Sequence, residues 1–207
     1  MDDSEVRAED TGERSELAAM LDELTEARWD EETLCSGWRV REVAAHITMP
    51  FRYSPLRFIG GMAAARGNFN RMADRAARRD TERLSSRDLL ESLRQNVDHP
   101  WKPPGGGFLG ALSHDIIHGL DISVPLGTGR HVPEKRLRMV LDNQKPKQIG
   151  YFGVDLNGIR LQATDLDWSY GEGESLAGLA QHLLLVQCGR RLPAGLLTGK
   201  AAAQFTR

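Results

Sequence analysis

The apolar positions recur mostly at helical spacing. Leu17, Met20, Leu21 and Leu24 share one face and predict a first helix that begins near Glu13 and ends before Asp30. Residues 1 to about 12 carry no apolar stripe, so the ordered chain is expected to start near residue 13. Val40, Val43, Ala44 and Ile47 fall at i, i+3, i+4 and i+7 and predict a helix over 38–49, with Pro50 as its stop. Pro55 to Arg79 is rich in Ala, Met and Arg, but Gly60, Gly61 and Gly67 argue against one straight helix. Ser85 or Ser86 caps a helix through Val97, and HPWKPPGGG then reads as a loop. Leu109, Leu112, Ile116 and Leu120 form the stripe of a helix from Phe108 to Val124, closed by Pro125 and Gly127. Pro133 opens a shorter helix with Leu137, Val140 and Leu141, running to about Asn143.

Beyond residue 144 the period changes to two. Phe152, Val154 and Leu156 precede Asn157-Gly158, and Ile159, Leu161 and Ala163 alternate with polar residues after it, which predicts a β-hairpin across that dipeptide. Trp168 and Tyr170 suit a third strand, and GEGES is expected to open a helix carrying Leu176, Leu179, Leu183, Leu184 and Val186 as far as Gly189. The last segment reads as small and helical. Helices followed by a β-β-α tail define an α+β chain, a helical bundle over 13–144 and a small α+β module over 145–207.

Composition narrows the function classes. The 207 residues hold 27 Lys and Arg against 29 Asp and Glu, a net charge of −2, so no basic excess recruits nucleic acid. No apolar run approaches the roughly 20 residues that span a bilayer, which argues against a membrane protein. The start MDDSEVRAEDTGERSE is acidic where a signal peptide needs a basic start and an apolar stretch. Cys35 and Cys188 lie far apart without CxxC spacing, which fits free thiols in a reducing compartment, and the cytoplasm is the expected location. The phosphate-binding patterns GxxxxGK[ST] and strand-GxGxxG-helix are absent, as is GxSxG.

His114 and His118 stand i, i+4 on a predicted helix, so their imidazoles project from one face a single turn apart and can chelate one ion. His46, on another helix of the same bundle, supplies a third donor. Three neutral imidazoles leave a divalent ion its full charge and an open position, the arrangement of a catalytic centre. Chance HxxxH pairs on solvated or core helices are common, and spacing alone does not separate the two readings. Glu42, Asp115 and Asp121 are the nearest carboxylates that could orient the rings, each also readable as a helix-face charge. His182 reads as a core histidine satisfied by a carbonyl, Cys35 as a redox thiol at a helix start or an inert one, and Trp38 as a core anchor. His99 and His131, beside proline or in loops, receive no role.

The stretch GWRVREVAAHI, with the later SHDIIHGLDI, resembles the mycothiol-dependent maleylpyruvate isomerase family, whose N-terminal domain is similar to the DinB-like four-helix metal-binding fold. The tail ATDLDWSYGEGESLAGLAQHLLLVQCGRRLPAGLLTGK resembles that family's small C-terminal module, so the likeness covers the chain from about residue 13 onward. The resemblance implies metal ligation by His46, which follows the W-x-V-R-[DE]-V stretch, and by the pair His114 and His118. It departs at the first position of that pair, where the isomerase is known for a Glu and this chain has His114. The implied function is that of a metal-dependent thiol-cofactor enzyme. A divalent metal, expected to be zinc, binds the sulfur of mycothiol, whose thiolate attacks an electrophilic small molecule in an isomerase or S-transferase reaction. Arg190 or Arg191, after the last long helix, is expected to bind the acidic substrate or thiol cofactor. The alternatives are a non-catalytic metal- or ligand-binding protein of the same fold, and a metal-hydroxide hydrolase with Asp121 as general base.

Overall fold

The computed structural model describes residues 2–207, and contacts divide the chain into two compact units, Met1–Ile122 and Ser123–Arg207. The change of hydrophobic period near residue 144 falls inside the second contact unit, between the helices Glu134–Leu141 and Pro146–Tyr151.

In the first unit, helix α1 (Asp3–Asp22) starts well before Glu13, contrary to the sequence expectation. Asp2 caps it by accepting the Ser4 N–H at 3.2 Å, and Asp3 and Glu5 stand where the helix dipole favours acids. The stripe was hidden because its members between Val6 and Leu17 are charged: Asp10, Glu13 and Arg14 are all buried. Helix α2 (Val40–Arg52) begins where the Glu42 carboxylate accepts the Arg39 backbone N–H at 2.9 Å, and it runs through Pro50 instead of stopping there. Proline has no N–H, so the helical bond from residue 50 to the His46 carbonyl is not made, yet Tyr53 closes the last turn on Met49. Helices α3 (Pro55–Ala64) and α4 (Phe69–Thr81) replace the single long segment, separated by Arg66 and Gly67, both in left-handed backbone. Ser85 caps α5 (Ser86–Arg94) in a capping box with Asp88. Helix α6 (Gly107–Leu126) carries the histidine pair and likewise continues through its proline, Pro125.

Helix α5 packs on α1 and α2, and α2 also packs on α4. Helix α6 is tied to α1 by Arg14 and Asp115 and to α2 by His46 and His114. The resulting four-helix core of α1, α2, α5 and α6 buries Leu17, Val43, Leu89, Leu112, Ile116 and Leu120, each worth about 1.5–3 kcal/mol when fully removed from water.

The second unit contains α7 (Glu134–Leu141), α8 (Pro146–Tyr151), strands β1 (Ile159–Ala163), β2 (Ser169–Tyr170) and β3 (Glu174–Gly178), helix α9 (Ala180–Gln187) and strand β4 (Leu197–Thr198). The sheet order is β2-β1-β3-β4. β1 alternates as predicted, with Ile159, Leu161 and Ala163 buried. Two expectations are corrected. No strand precedes Asn157-Gly158; the hairpin is formed by β1 and β2, and β1 pairs in parallel with β3, placing Leu161 beside Leu176. GEGES opens a strand, not a helix, because Gly173, at positive φ and with no side chain, lets the backbone approach the Gly158 carbonyl, which accepts the Glu174 N–H at 2.8 Å. Leu176 therefore belongs to β3, and α9 begins only at Ala180. Among the described residues no helix is long and apolar enough to cross a membrane.

Candidate metal centre

His46 lies at the middle of α2, and His114 and His118 face it from α6. The three ring centroids are 4.7 to 5.0 Å apart, and the ligand atoms all lie within 4.8 Å of one another. His114 Nε2 and His46 Nε2 approach to 3.2 Å. Two nitrogens bound tetrahedrally to zinc at about 2.0–2.1 Å sit about 3.3 Å from each other, so this separation fits a shared ion. His46 is 6% exposed, and burial, with the neighbouring His118 and His114, holds it well below the ordinary histidine range. It is therefore neutral near pH 7, the form that ligates metal.

Outer partners fix the other two rings. His114 Nδ1 bonds Asp115 Oδ1 at 2.7 Å, and His118 Nδ1 bonds Asp121 Oδ2 at 3.0 Å. With the protons on Nδ1, both rings present a bare Nε2, the carboxylate–histidine pairing typical of metal sites. Burial alone would raise the Asp115 carboxyl, but His114 and Arg14 outweigh it and keep it ionised. Arg14, which the sequence reading passed over, donates from Nε to Asp115 Oδ2 at 2.6 Å. Glu42 plays a different part, accepting from Arg39 and from the Thr81 hydroxyl at 3.0 Å as a helix cap.

Cys35 does not sit at a helix start. It lies in the turn before α2, where its thiol donates to Asp121 Oδ2 at 3.0 Å and stands 3.7 Å from His118 Nδ1. Pro125 explains its position. Lacking an N–H, it leaves the Asp121 carbonyl open, and the Leu34 N–H takes it at 3.0 Å, pinning the turn to α6. The Trp38 ring lies 5.2 Å from His46 with its Nε1 donating to Asp74 at 2.8 Å, so the anchor of the helix entry also borders the histidines. Phe69 and Trp101 complete an aromatic border at 6.4 Å from His46 and 5.2 Å from His114. Arg190 and Arg191 belong to the second unit, where Arg190 Nη1 donates to the Cys188 carbonyl at 3.1 Å. His182 is buried in α9, its pKa lowered by burial despite a hydrogen bond with the Leu196 backbone, as suits a core histidine.

Fold and site together define a helical-bundle protein with a trihistidine centre backed by carboxylates. Residues 11–100 match the family described as "Mycothiol maleylpyruvate isomerase N-terminal domain", the likeness visible in GWRVREVAAHI. Two solved structures superpose along nearly the whole chain. The crystal structure of the mycothiol-dependent maleylpyruvate isomerase has a TM-score of 0.64 and 13% identity, covering 98% of this chain and 94% of that one. A histidine-to-alanine mutant of that enzyme gives a TM-score of 0.60 and 12% identity with the same coverage. At such identity the likeness is one of fold. No curated protein gives a significant match.

Proposed function

We propose that this chain is a metal-dependent thiol-cofactor enzyme, a mycothiol-dependent isomerase or S-transferase acting on an electrophilic small molecule. The observation that carries the reading is the convergence of His46, His114 and His118, with two rings already oriented by Asp115 and Asp121. A divalent ion such as zinc, held by three neutral nitrogens, keeps its double charge and supplies the Lewis acidity that lowers the pKa of a thiol at an open position. The chain's own residues do the rest. The two aspartates hold ring protons at Nδ1, and Trp38, Phe69 and Trp101 border the histidines with apolar ring surface. Binding of the acidic substrate or the thiol cofactor by Arg190 or Arg191 is part of the proposal, and loss of small-molecule affinity in the single alanine variants is its test. An isomerase returns the thiol unchanged and a transferase releases its adduct, so product analysis divides the two. A metal-hydroxide hydrolase is the alternative, and Asp121, the base suggested for it, is buried and accepts from His118 and Cys35, which favours the thiol reading.

Two measurements test the reading. Elemental analysis should give about one divalent metal per chain, lost in His118→Ala. Titrating mycothiol into the cobalt-substituted protein should raise a saturable near-ultraviolet sulfur-to-cobalt band, weakened in His114→Ala. Metal without any thiol band would leave a binding protein without this chemistry, and no metal would end the reading.

A further inference from the structure

Behind His114 runs a buried chain of charges that the histidine motif does not account for. Arg14 of α1 is 1% exposed, with Asp10 at 2% and Asp115 at 1%. Its guanidinium is used on three sides: Nε donates to Asp115 Oδ2 at 2.6 Å, Nη1 to the His99 carbonyl at 2.7 Å, and Nη2 stands 2.8 Å from Asp10 Oδ2. The Phe51 ring lies 5.2 Å from the guanidinium carbon. Burying an arginine and a carboxylate beside a second carboxyl group is costly, and well-packed apolar residues often serve stability equally well, so a tie between α1 and α6 does not by itself explain the arrangement.

The division of labour at Asp115 does. Its Oδ2 is held by Arg14 and its Oδ1 by His114 Nδ1 at 2.7 Å, so the carboxylate cannot rotate without breaking one of the two bonds. A fixed Oδ1 selects the Nδ1–H form of His114 and fixes the ring plane, which aims its Nε2 at His46 Nε2, 3.2 Å away. Arg14 is itself fixed from behind by Asp10 and from the side by the His99 carbonyl. We propose that Arg14 is a positioning residue of the metal centre, acting through Asp115 to set the tautomer and orientation of His114 and hence the affinity of the trihistidine site. The inference rests on the metal reading above and adds a residue of α1 to a site whose donors lie on α2 and α6.

The test uses the full-length protein, stripped with chelator and then titrated with cobalt or zinc against a chromophoric competitor. Arg14→Lys keeps the charge but loses the planar fork, so it cannot serve Asp115, Asp10 and the His99 carbonyl together. Its metal affinity should fall about 10- to 100-fold, the usual consequence of losing an outer partner of a ligating histidine. In the metal-free protein, nitrogen-15 shifts of the His114 ring should move from a dominant Nδ1–H form toward a mixture, a change that a purely structural tie would not produce. Asp10→Ala leaves the guanidinium on Asp115, removes its rear anchor, and should move both readouts in the same direction by less. Should Arg14→Lys fail to fold, Asp10→Ala decides alone. A folded variant with wild-type affinity, or with an unmoved His114 tautomer, overturns the proposal. Failure of the wild type to bind metal would instead defeat the functional reading, while the tautomer comparison in the metal-free protein still judges Arg14.

Discussion

Asp121 serves two neighbours with one oxygen, the His118 ring and the Cys35 thiol. Asp121→Asn should therefore weaken metal binding about 10- to 100-fold, measured by competition with a chromophoric chelator. Cys35→Ser retains a donor to Asp121 and should weaken it less. Asp10 behaves differently, because burial, aided by the nearby Asp115 and Glu13 and opposed by Arg14, pushes its carboxyl up to about 8. Between about pH 4 and 8 the folded state keeps a proton that the unfolded chain has released, so this group's contribution favours folding at low pH and is lost as pH rises through 8. The urea midpoint of the chelator-stripped protein should fall across that range, and Asp10→Asn should flatten the fall. At this scale the sequence was legible where chemistry and period coincide. His114 and His118 announce themselves as a helical pair, and Asp121 follows one turn later. Arg14 was not legible, because an arginine among acids on an amphipathic helix reads as solvated surface, and only the fold shows it is buried.

Helices were read well wherever apolar residues alone drew the stripe, as in α2, α5, α6 and α7. The failures have specific causes. The N-terminal half of α1 packs through charged residues, and both internal prolines, Pro50 and Pro125, were taken as stops although each costs a helix one bond and need not end it. In the second unit Asn157-Gly158 has the chemistry of a hairpin turn, but the long-range parallel pairing of β1 with β3 decided otherwise, a contact that no local pattern encodes. Leu176 offers a check on that correction. In β3 it is fully buried beside Leu161, so Leu176→Ala should cost about 2–5 kcal/mol by urea denaturation.

For the molecule as a whole, the apolar residues of α1, α2, α5 and α6 form a core that does not depend on the histidines. Chelation should therefore leave the far-ultraviolet circular dichroism of the helices at room temperature, while the thermal midpoint drops by the linkage expected for loss of a bound ligand. Collapse of the helical signal on adding chelator would mean that the ion builds the fold. Helical class, an α+β order and the histidines that come together were all readable in the chain. The outer tier of the site was not, since it depends on how α1 approaches α6.

The bonds that assemble the centre join segments far apart in the chain: 101 residues separate Arg14 from Asp115, 68 separate His46 from His114, and 86 separate Cys35 from Asp121. Closing such loops costs entropy that is recovered only once both ends are structured, which predicts that these contacts form late in folding, after local helix pairs. The centre then contributes little to the transition state, and a substitution such as Asp121→Asn should raise the unfolding rate while leaving the folding rate nearly unchanged. On this expectation the geometry of the centre also sets how long the folded chain persists, since the polar ties that aim the histidines would be lost before the unfolding barrier is crossed.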